Sequence, residues 1–121
     1  MSVYYLSSLD SSRFEQVRRC DVVRTASFET GKTALVVELN PPVIGQDLGF
    51  GEDLSRFVVT ARFEGDDVSQ IDRFPFFVYI CLPRAGRPGL PEPLRAADLD
   101  VVAWGELYRT GEDAAAHTFD S

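Results

Sequence analysis

Phe57, Val59, Ala61 and Phe63 alternate with Val58, Thr60, Arg62 and Glu64. A period of two is what a β-strand with one face in a core requires, and an α-helix, with its period of 3.6, does not produce it. On either side lie two shorter runs, residues 33–39 (Thr-Ala-Leu-Val-Val-Glu-Leu) and 76–82 (Phe-Phe-Val-Tyr-Ile-Cys-Leu), apolar on both parities apart from Glu38. Their β-branched and aromatic content predicts strands covered on both faces, with Pro75 at a strand's start, where a missing N–H costs least. Residues 100–110 alternate again, setting Val102, Trp104, Glu106 and Tyr108 against Val101, Ala103, Gly105, Leu107 and Arg109. Gly105 inside that run suggests a bulge or a close neighbour against the backbone. Residues 3–6 and 21–28 supply two further strand candidates, and Gly65-Asp66-Asp67 marks a turn after the first run.

Strands that are not separated by long helices point to a mainly β fold, with a β-rich α+β arrangement as the alternative. The expected architecture is an antiparallel sandwich or partly open barrel of about five to seven strands with one short N-terminal helix. That helix is expected after Ser12, because Ser12-Arg13-Phe14-Glu15 has the spacing of a capping box. A chain of 121 residues suits one core. Residues 1–110 are therefore expected to form a single β-rich domain, followed by a frayed acidic tail over 111–121.

Two connectors stand out. Residues 40–53 (Asn-Pro-Pro-Val-Ile-Gly-Gln-Asp-Leu-Gly-Phe-Gly-Glu-Asp) exceed the usual length of about 4–6 residues for a link in a compact domain. Such loops are functional more often than short ones, and this one either folds inward on Val43, Ile44, Leu48 and Phe50 or presents them to a partner. Its glycines, Gly45, Gly49 and Gly51, do not match a phosphate-binding spacing, and Asp47, Glu52 and Asp53 would repel an anion. Residues 83–93 carry four prolines and two glycines and read as a loop, with Arg84 and Arg87 as a compact cationic pair.

The catalytic inventory is thin. His117 is the sole histidine and lies in the expected tail, where it is poorly placed to act as a base. Cys20 and Cys81 have no Cys-x-x-Cys spacing and read as small buried hydrophobes, and neither they nor the acids match a zinc or calcium set, so no cofactor or metal is expected. Glu38, a carboxylate in an apolar strand, either pairs with an arginine across strands or enters a pocket beside Glu106 or Glu64. The absence of an apolar run of about 20 residues argues against a membrane span, and the absence of a secretory leader pattern suggests a cytoplasmic address. A net charge of −7 disfavours nucleic acid.

These features favour a non-catalytic binding module with a basic protein partner, in the style of an acidic inhibitor or immunity protein that masks a positive surface. Its expected contact residues are Asp47, Phe50, Glu52 and Asp53, with Asp66 and Asp67 beside them. The competing expectation is a small-ligand binder or modest enzyme with a cavity between sheets or at a barrel mouth, using Glu38, Tyr79, Trp104, Glu106 and Tyr108. A homodimer burying the apolar loop is a third possibility.

Overall fold

The computed structural model describes residues 3–8, 17–43, 54–84 and 90–110. Six strands, β1 (Val3–Ser8), β2 (Arg18–Ser27), β3 (Thr33–Val43), β4 (Leu54–Ala61), β5 (Phe76–Pro83) and β6 (Leu99–Tyr108), pair in chain order. Every pairing is antiparallel, and β1 also pairs with β6, so the sheet closes into a barrel. The sandwich and the partly open form are thereby resolved in favour of full closure, which leaves no unpaired edge. The helix expected after Ser12, the connector beyond Val43 and the tail after Thr110 lie outside the described residues.

Alternation decides what fills the barrel. Leu6, Cys20, Leu35, Val37, Leu39, Val43, Phe57, Val59, Phe76, Val78, Ile80 and Leu107 point inward and form one continuous core. The lumen is thus packed with side chains, as expected for a barrel of so few strands. Charged residues such as Arg19, Asp21, Glu38 and Arg56 lie outside, the reverse of the polar-in, apolar-out pattern of a barrel that spans a bilayer. Among the described residues no helix is long and apolar enough to cross a membrane.

Three local findings refine the expected boundaries. The strand expected from Asp21 begins at Arg18, because Cys20 lies opposite Tyr4 and packs into the lumen. β3 runs past Leu39 through Asn40-Pro41-Pro42 to Val43, which returns to the core with no exposed surface. Its pairing with β4 slips between Glu38 and Val43, where Pro41 and Pro42 have no N–H to offer the ladder. In β6 the irregularity falls at Val102, between the Ile80–Ala103 and Cys81–Val101 pairs, and Gly105 pairs regularly with Val78.

The connectors close the ends and cover one flank. Between β2 and β3, Gly31 takes a φ of +90°, the left-handed conformation that glycine adopts without a Cβ penalty. After β4, Asp67 caps the 3-10 turn Val68–Gln70 and accepts the Thr33 amide at 3.2 Å, while Val68 joins the barrel core. Lys32 Nζ donates to the carbonyls of Glu64 and Asp66, tying this turn to the β2–β3 turn. Residues 90–98 of the β5–β6 connector lie as a strap across the outside of β2 to β5. Its Leu94 amide donates to Ser27 O at 2.8 Å, and the Glu29 amide donates to Leu94 O at 2.9 Å. Leu94, Leu99, Ala26, Ala34, Val58 and Cys81 make a second core beneath it.

Candidate docking surface on the barrel exterior

A filled lumen leaves recognition to the outer face and the barrel ends. No buried side-chain polar atom among the described residues lacks a hydrogen-bond partner, so none is left waiting for an internal ligand. Nor do three His, Cys, Asp or Glu side chains among them gather as a metal site would require.

Both thiols are free and buried, Cys20 inside the barrel and Cys81 on its outside under the strap. Burial pushes Cys20 up to about 12 and Cys81 to about 11, and a hydrogen bond from Thr60 only partly offsets the latter. A thiol held that high is protonated at neutral pH and inert as a nucleophile.

The residues expected to meet a partner divide into two groups. Asp47, Phe50, Glu52 and Asp53 lie outside the described residues. Asp66 and Asp67 are described, and both are engaged within the molecule. Arg73 donates to Asp66 Oδ1 at 2.9 Å and Oδ2 at 3.0 Å. Asp67 Oδ1 accepts the Ser69 amide at 3.1 Å as well as the Thr33 amide. These two acids organise the turn, using the local bonding that suits Asp to such positions.

Of the five residues of the competing expectation, four share one face of β5 and β6 and Glu38 lies apart from them. Glu38 lies on the exterior of β3, 3.6 Å from Arg56 of β4, which makes it the cross-strand partner of an arginine. Asp21 sits directly opposite Glu38, and Arg19 lies 2.8 Å from Asp21, so two like charges are flanked by two arginines across three strands. Tyr79, Trp104, Glu106 and Tyr108 form a separate file on the outside of β5 and β6. Tyr79 is opposite Trp104, and Tyr108 donates to the buried carboxylate of Glu106.

An arginine and aromatic cluster borders that file. The Arg62 guanidinium sits 4.2 Å from the centre of the Trp104 ring, a cation–π stack, and Phe63 meets Phe77 edge-on at 5.6 Å. Phe63, expected on the core side by alternation, falls beyond the end of β4 and is 50% exposed. The strap was also hidden in the sequence, although Leu90 and Leu94 in a proline-rich connector, and the small pair Ala26 and Ala34 opposite each other, were its available signal.

The distribution of charge separates the barrel from its surroundings. The described residues hold eleven acids against ten bases, and the remaining segments hold eight acids against two bases. Much of the barrel's charge is paired locally, as in Arg73 with Asp66 and Arg84 with Asp100. The acidic excess belongs chiefly to residues 44–53 and 111–121, each with three acids and no base. Comparison of the chain with protein-family models, with curated proteins and with solved structures finds no match.

Proposed function

We propose that this protein is a non-catalytic interaction module that engages a basic protein partner, as an acidic inhibitor or immunity-type protein does. The observation that carries the proposal is the charge partition: a nearly balanced barrel with a packed lumen, and an acidic excess concentrated in segments that leave its ends. Residues 44–53 join the end of β3 to the start of β4, at the barrel end where β5 also finishes. Three acids there, Asp47, Glu52 and Asp53, would speed encounter with a positive surface, and Phe50 would supply apolar contact that slows release. Asp66 and Asp67 are given the smaller part in this reading, since Arg73 and two backbone amides already hold their carboxylates.

The test is capture from native extract at low salt by the wild-type chain and by the Asp47→Lys, Glu52→Lys, Asp53→Lys triple variant. The partner retained by wild type should be released by salt, and its association rate should fall about tenfold or more in the variant. Equal capture by both proteins at low salt would remove the basis of the proposal. Substituting Asp66 should change stability and leave capture intact.

A further inference from the structure

In β2, Val22 pairs with Val37 and Arg24 pairs with Val36, so Val23 is an extra residue in the ladder. A bulge of this kind reverses which face the following residues occupy. Val22 packs toward the lumen, and regular alternation would send Arg24 the same way. The bulge instead sets Arg24 on the exterior opposite Val36, exposed and without an ion pair to any described carboxylate.

Val36 neighbours Val58 of β4, and Arg56 projects on the same side two residues earlier. The contact of Arg56 with Glu38 is long at 3.6 Å and its side chain is 61% exposed, so the guanidinium is weakly held. Pro83 at the end of β5 and Leu90 of the strap complete a groove of about 350 Å³ with these residues. Its size is at the small end of ligand clefts, which run from roughly 300 to 1,000 Å³.

We propose that this groove binds a small amphipathic carboxylate. Arg24 and Arg56 hold the carboxylate, for which the guanidinium fork is suited, and a short apolar chain lies against Pro83 and Leu90, above the buried Val36 and Val58. A purely apolar molecule would leave Arg24 unanswered and Arg56 with only its long contact to Glu38, and a bare anion would leave Pro83 and Leu90 uncovered. The residues of the groove are not those of the protein-binding proposal, and the two are tested with different variants and probes, so either can fail without the other.

Isothermal titration of the full chain with octanoate tests this, with octan-1-ol, octylamine and inorganic phosphate as comparison probes. Saturable one-to-one binding of octanoate is expected, weakened by salt and by about tenfold in each of Arg24→Gln and Arg56→Gln. Both substitutions are at exposed positions, and circular dichroism checks that the barrel persists. Leu90→Ser should weaken octanoate while leaving phosphate unaffected. Absence of octanoate binding, equal binding of octanol, phosphate binding as tight as octanoate, or unchanged affinity in both arginine variants would overturn the proposal.

Discussion

Leu94→Ala separates a structural strap from a loose loop. Leu94 has no exposed surface and packs with Ala26, Ala34, Val58, Cys81 and Leu99. The substitution removes three carbons, a transfer loss of about 2.4 kcal/mol at about 0.8 per methylene. A cavity contribution is added because the site cannot easily collapse. Ala26 and Ala34 have no side-chain length with which to fill the space. The strap backbone is pinned by the Ser27 and Glu29 bonds and by the Asp98 carboxylate, which accepts the Arg95 amide at 3.0 Å. The total is about 3 kcal/mol, near the lower end of measured leucine-to-alanine losses in cores. For a chain of this size that lowers the melting midpoint by roughly 10 °C, read by thermal circular dichroism. A second measurement is the rate at which an aromatic disulfide reagent labels the two thiols. Lifting the strap exposes Cys81 and not the lumenal Cys20, so Cys81 should react faster in the variant with Cys20 little changed. A stability within about 0.5 kcal/mol of wild type, together with unchanged labelling, would refute the reasoning that this connector carries a second core.

Two further outcomes follow from the ends of the barrel and from its thiols. Asp67→Ala removes the acceptor of both the Ser69 and Thr33 amides and should cost about 1–2 kcal/mol by urea unfolding, whereas Asp67→Asn should recover most of it. Cys20 and Cys81 are raised from an ordinary 9.0 to about 12 and about 11, so their contribution is complete below pH 9 and is lost as pH rises through that window, when the unfolded chain ionises first. Near pH 10 the loss is about 1.4 kcal/mol per thiol, and a Cys20→Ala, Cys81→Ala variant should show a flatter decline of stability between about pH 9 and 11. Parallel declines in the two proteins would contradict it.

Much of the barrel is visible in side-chain alternation, and what escapes has identifiable causes. The inward file of β4 and the two-sided apolar runs of β3 and β5 follow from residues 33–39, 57–61 and 76–82, since a buried face imposes a period of two. Closure depends on the six-residue β1 meeting β6 across nearly the whole chain, and no local pattern encodes a long-range pairing. The outward turn of Arg24 was invisible because one extra residue inverts the parity on which alternation is read. Alternation likewise groups Glu106 and Tyr108 correctly on one face of β6, yet both are buried there, because parity names a face without saying what covers it. For the acids, Asp66 and Asp67 are surface residues by composition, and the Thr33 amide and Arg73 guanidinium that occupy them are brought in by the fold rather than by local sequence.

The seam between the first and last strands also bears on assembly. Tyr5 meets Tyr108 across nearly the whole chain, the longest loop closure in the fold, so the ring is expected to seal late with its shortest stave. Until then two naked borders face the solvent, and any nascent chain halted before β6 offers them for adhesion to its neighbours.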